Sequence, residues 1–154
     1  MKKIMFVCLG NICRSPMAQI MFQEIINQNK LNNKIIVDSA ATSNYEIGNS
    51  IYQPAFQILK QNNYKNIEHK AKQINDKDFV NFDYIVGMDK QNIINLKQMC
   101  PKKCLQKIHL IYDISATPTN EIKDPWYTND FQTTFNQLKE ILPLWFQKLI
   151  NELS

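Results

Sequence analysis

Four short apolar runs punctuate the chain, and between them apolar residues recur at helical spacing. Ile4-Met5-Phe6-Val7 is continuously apolar, as a parallel strand buried on both faces requires. Ile35-Ile36-Val37, the segment YIVGM (Tyr84 to Met88) and the segment KIHLI (Lys107 to Ile111) predict a second, third and fourth strand. After the first strand, Ala18, Met21, Phe22 and Ile25 share one helical face, with Ser15 suited as N-cap and Pro16 as the first helical residue. Further helices are predicted from near Pro54, with Ala55, Ile58 and Leu59 inward, and through Phe82 from a cap at Asn75. Another starts after a cap at Asp89 and carries Ile93 and Leu96; the last starts near Asn129, with Phe131, Phe135, Leu138 and Leu142 on one side. Pro143 is expected to kink or split that final helix.

This alternation implies right-handed crossovers and an α/β fold: a single domain over residues 1–154 with an open parallel sheet covered by helices. The length suits one core and is short for two. No internal repeat or linker interrupts it. Ligands of open parallel sheets bind beyond the carboxyl ends of the strands. That directs attention to VCLGNICRSP, Val7 to Pro16, the turn from the first strand into the first helix.

Charge narrows the ligand. The formal net charge is +4 with lysines scattered along the chain, a distribution that speaks against nucleic-acid binding and suits an anionic substrate. The opening MKKIMFVCLG imitates a signal peptide, but Gly10, Asn11 and Arg14 break the apolar run; no other run is long enough to span a bilayer. The expected location is therefore the cytoplasm, with no membrane partner, and its reducing conditions favour free thiols for the 4 cysteines.

A loop opening into a helix N-terminus offers convergent backbone N–H groups and a helix dipole, which together make a concave anion site. Gly10 and Asn11 are residue types that accept the positive φ of such a tight turn. Arg14 is the only arginine in a chain whose other cations are lysines, and its planar fork grips two phosphoryl oxygens in a way lysine cannot. Cys8, at the base of this cradle, faces the same dipoles and the guanidinium, surroundings that favour thiolate over thiol. A thiolate aimed at phosphorus is a nucleophile.

The segment VCLGNICRSPMA resembles the active-site loop of the low-molecular-weight protein tyrosine phosphatases, and DSAATSNY, HKAKQI, DFVNFDYIVGMD and DPWY are similar to family segments in the same order. The resemblance implies a single-domain, three-layer fold whose four-stranded parallel sheet has the order 2-1-3-4 and is flanked by helices, and it implies that Cys8 forms a phosphocysteine intermediate. Arg14 and the loop Leu9, Gly10, Asn11, Ile12 and Cys13 would hold the phosphoryl group, while Ser15 stabilises the departing thiolate. Asp124, in Asp-Pro-Trp-Tyr, matches the general acid, which protonates a phenolate leaving group and then activates the hydrolytic water. Tyr45, Trp126 and Tyr127, with Leu9 and Ile12, are expected to wall the substrate ring. Asn11, Ser39, His69 and Asp89 match positions that tie the loop together. The implied substrate is a phosphotyrosine-containing protein or a small aryl phosphate, handled with no metal and no cofactor by a monomer or weak homo-oligomer.

Some features depart from this pattern. The stretch GNSIYQPA shows Asn49, Tyr52 and Pro54 where many relatives carry charged residues, and Lys72 is the nearest basic substitute, so substrate choice stays open. Cys13 is a redox candidate, able to capture an oxidised Cys8 as a disulfide. Cys100 and Cys104, in CPKKC, read as ordinary thiols, because a zinc site needs two further ligands and neither of the 2 histidines is spaced to supply them. Three rival readings remain. One is an arsenate reductase of the same fold with a downstream cysteine relay, another a phosphoarginine phosphatase, which usually has threonine where Ile12 stands, and the third a phosphate-binding module without turnover.

Overall fold

The computed structural model describes residues 1–153. Strand β1, Lys2–Cys8, lies in the middle of the sheet, parallel to β2, Ile35–Ala41, on one side and to β3, Tyr84–Gly87, on the other. β4, Ile108–Leu110, pairs parallel with β3, so the order is β2-β1-β3-β4, as the family resemblance implies. Side chains alternate across the central strand. Ile4, Phe6 and Cys8 enter one core, while Met5 and Val7 enter the other.

The first core is covered by α1, Arg14–Gln28, by α2, Gln53–Gln61, and by the long terminal helix α6, Phe131–Glu152. The second lies under α3, Asp76–Asn81, and α4, Lys90–Met99. Asn75 and Asp89 both act as predicted, each closing a capping box with the residue three positions on, Asp78 and Asn92. Two short 3-10 turns, Lys102–Lys107 and Ile111–Ile114, flank β4 and have no counterpart in the apolar periodicity.

Two local expectations are overturned. Helix α1 begins at Arg14 rather than Pro16; its cap position is Cys13, with no side-chain cap, and Ser15 lies inside the first turn. Helix α6 runs unbroken through Pro143. A mid-helix proline costs about 3 kcal/mol, but Leu138, Ile141, Leu142, Trp145, Phe146 and Leu149 on either side are all buried in the first core, where α6 packs on α1 and α2. Burying such side chains stabilises by about 1.5–3 kcal/mol each, so packing outweighs the lost backbone bond.

Candidate active site

The loop from Cys8 to Arg14 crosses the carboxyl end of the central strand, and Asn11 is its hub. Its φ of 59° is the left-handed conformation the turn needs; Gly10, the other candidate for it, is not among the positive-φ residues. The Asn11 side-chain amide donates to Ser15 Oγ at 2.7 Å and to Ser39 Oγ at 2.9 Å. Its Oδ1 accepts from the Lys72 backbone N–H at 3.1 Å, and its carbonyl accepts from His69 Nε2 at 2.7 Å. Ser39, on β2, passes its own proton to Gln19 Oε1 on α1 at 2.6 Å. Gln19 went unnoticed in the sequence, since a glutamine on a helix carries no signal of such a role.

Cys8 Sγ is buried at the floor of this arrangement, 3.0 Å from Ser15 Oγ and 3.3 Å from the Asn11 backbone nitrogen, which donates to it. Ser15 therefore faces the sulfur instead of capping the helix. With no side-chain cap and no acidic residue in its first turn, α1 leaves its N-terminal N–H groups and dipole directed at the hollow.

Arg14 is 2% exposed. Nη1 donates to Asp89 Oδ2 at 2.6 Å and to the Ile122 carbonyl at 2.9 Å, and Nη2 lies 3.4 Å from Asp124 Oδ2. Burial works against its charge, yet Cys8, Asp124 and Asp89 together hold the guanidinium above its already high ordinary range. Its Nε is buried and has no hydrogen-bond partner in the protein. A buried donor left unmade is costly, and an oxyanion in the hollow would satisfy it. Asp89 divides its two oxygens between jobs: Oδ1 caps α4 by accepting from Asn92 N–H at 2.7 Å, and Oδ2 holds Arg14.

Asp124 opens a single-turn helix, α5, Pro125–Thr128, and caps it by accepting from the Trp126 N–H at 3.1 Å. Its carboxylate enters the lining of a cleft of about 200 Å³ shared with Cys8, Leu9, Gly10, Ile12, Cys13, Arg14, Tyr45, Trp126 and Tyr127. Glu46 lines the same cleft and was missed, although it directly follows Tyr45 in the sequence. Lys72 does not line it; its ammonium pairs with Asp38. His69 and Ser39 stand behind the loop as supports. Cys13 is buried, and burial, with Cys8 and Asp124 adding to it, pushes its thiol far above the ordinary range. Cys100 and Cys104 belong to the core on the other face of the sheet. Among the described residues no group of three or more His, Cys, Asp or Glu side chains is placed to hold a metal ion, and no helix is long and apolar enough to cross a membrane.

A parallel α/β sheet that ends in an amide-lined loop, with a sulfur on its floor and an arginine beneath, defines a class of protein built to hold a tetrahedral oxyanion against a cysteine. The family model described as low molecular weight phosphotyrosine protein phosphatase matches residues 3–154. The chain is 42% identical over 141 residues to the low molecular weight phosphotyrosine protein phosphatase of Saccharomyces cerevisiae, covering 88% of this chain and 87% of that one. YfkJ from Bacillus subtilis superposes with a TM-score of 0.94 at 32% identity, covering 100% of this chain and 98% of that one. A protein tyrosine phosphatase from Entamoeba histolytica superposes with a TM-score of 0.90 at 33% identity, covering 98% of each. The chain belongs to the low molecular weight phosphotyrosine protein phosphatase family.

Proposed function

We propose that this protein hydrolyses phosphotyrosine and small aryl phosphates in two steps through a phosphocysteine. Cys8 thiolate attacks phosphorus in line while the P–O bond to the aryl oxygen breaks and Asp124 gives its proton to that oxygen. Water then attacks the phosphocysteine; Asp124, now a carboxylate, takes its proton, the S–P bond breaks, and Ser15 donates to the returning thiolate. Arg14 Nε and the loop N–H groups hold the equatorial oxygens throughout.

The observation that carries this reading is the placement of Cys8 Sγ between the Ser15 hydroxyl and the Asn11 N–H, at the floor of an aromatic-walled cleft that also holds Asp124. A non-catalytic oxyanion binder is weakened by a carboxylate in its cleft, so the capping of α5 does not by itself account for Asp124 there. The downstream cysteines that an arsenate relay requires, Cys100 and Cys104, pack in the core beyond the sheet rather than along the cleft. The reading extends to one phosphatase domain over residues 1–154, acting in the cytoplasm, where its four free cysteines stay reduced.

Steady-state kinetics on p-nitrophenyl phosphate test it. Cys8→Ser should abolish turnover, and Asp124→Ala should lower kcat by roughly 100- to 10,000-fold, the ordinary range for a general acid. Acid-quenched enzyme should carry phosphate on Cys8. Retained turnover in Cys8→Ser would refute the mechanism, and faster cleavage of phosphoarginine than of phosphotyrosine peptides would reassign the substrate.

A further inference from the structure

Asp124 must meet the leaving oxygen, yet it sits at the start of a single helical turn in which Pro125 is buried and the remaining residues, Trp126 to Thr128, are exposed. On its N-terminal side the segment is well anchored. Ile122 N–H donates to the Met88 carbonyl at 2.9 Å, the Ile122 carbonyl accepts from Arg14, and Glu121 Oε2 accepts from the Lys90 N–H at 2.8 Å. On the other side, Trp126 is 51% exposed and Tyr127 76% exposed, and the turn ends at Asn129 with φ 58°.

What meets Trp126 there is Tyr52. The two ring centroids are 4.8 Å apart at an interplanar angle of 48°, and the Tyr52 ring also lies 5.9 Å from Phe131, the first residue of α6. Its backbone N–H donates to the Ile12 carbonyl in the phosphate loop at 2.9 Å, and its carbonyl receives the Phe56 N–H of α2 at 3.0 Å. One residue thus joins the loop that holds phosphate to the turn that carries the acid.

We propose that Tyr52 is a positioning residue for Asp124: its ring supports Trp126 and so holds α5 at the angle from which the carboxyl group reaches the leaving oxygen. This rests on Asp124 being the general acid. An aromatic pair of this geometry is worth enough to shift a local equilibrium by up to about tenfold. Without it, α5 samples orientations in which the nucleophile, arginine and loop remain correct but proton delivery fails. The loss then depends on how much the leaving group needs its proton.

The test compares kcat/KM for phenyl phosphate, whose phenolate leaves poorly unprotonated, with that for 2,4-dinitrophenyl phosphate, whose leaving group needs no proton. Tyr52→Ala should lower the first about tenfold and leave the second within about twofold, while Tyr52→Phe keeps both at the wild-type level. Tyr52→Leu, which keeps bulk beside Phe131 but removes the stacked ring, carries the same comparison if the alanine variant does not accumulate. Equal losses on both substrates, as a damaged ring-binding wall or a loosened fold would produce, overturn the proposal, as does no loss on either. Asp124→Ala separates the two layers: selective loss there without selective loss at Tyr52 defeats the positioning role alone, whereas equal losses in Asp124→Ala defeat the acid assignment beneath it.

Discussion

The side-chain amide of Asn11 donates to Ser15 Oγ at 2.7 Å, and this decides where the serine proton goes. With one lone pair of Oγ occupied by an amide donor, the hydroxyl proton has Cys8 Sγ at 3.0 Å and the Ala40 carbonyl at 3.5 Å to choose between. When Cys8 is the thiolate, which can only accept, the nearer sulfur takes it. A carboxamide three residues from the nucleophile thereby sets the hydrogen-bond donor that the sulfur meets.

Asn11→Gly isolates this role, because glycine accepts the positive φ while removing the amide. Ser15, Ser39 and the Lys72 N–H each lose a partner. The expected destabilisation is about 3 kcal/mol, at the usual cost of orphaning buried polar groups. Chemical denaturation would read the stability. Activity on p-nitrophenyl phosphate should fall along with it, and more steeply than in a Gln19→Ala variant, which touches only the outer end of the chain at Ser39.

His69 gives the structure a pH dependence of known sign. Its Nε2 faces a carbonyl, so the Nε2–H donates in either charge state. Burial pushes the imidazole below its ordinary value, against the pull of the Asn11 carbonyl and Asp38 and with help from Lys72. Between that lowered value and about 6.5 the unfolded chain binds more protons than the folded one. Stability from this site is therefore complete above about pH 6.5 and is lost as the pH falls through the folded value. The melting temperature of the wild type should drop on acidification in this window, and that of His69→Gln, whose amide can still donate to Asn11, should drop less. Parallel curves for the two proteins would exclude His69 as the source.

Cys8 and Cys13 are both buried and both line the cleft, but they should react differently. Burial, reinforced by Cys8 and Asp124, keeps Cys13 protonated, and a thiol is a poor nucleophile. Iodoacetamide at neutral pH is expected to label Cys8 and spare Cys13, with inorganic phosphate protecting Cys8. Peptide mapping after brief exposure measures the ratio, and preferential labelling of Cys13 would contradict the arrangement. The same protonation makes Cys13 slow to form a disulfide with an oxidised Cys8 unless that thiol first loses its proton.

The sequence by itself determined the strands, their parallel direction and the position of the loop, because each follows from local periodicity and from the alternation of strands with helices; the order of the strands was legible only through the family resemblance. Cys8 and Arg14 were legible together, lying six residues apart in one turn. Asp89 was legible as a cap, since capping is a matter of three or four neighbouring residues. The resemblance gave Asp89 as a tie to the loop, and tertiary structure decided that the tie is its second oxygen on Arg14, 75 positions away. It also turned Ser15 from the cap position to the sulfur, carried α6 through Pro143, and placed Glu46 in the cleft and Tyr52 against Trp126. For Asp89, Pro143 and Tyr52 the deciding partners are remote in the chain, brought close by the order of the sheet and the packing of helices on it; for Ser15 they are Cys8 and Asn11, near in sequence but met only because the loop closes over the strand end. Local preferences of a kilocalorie or so yield when burial and buried hydrogen bonds worth several point elsewhere.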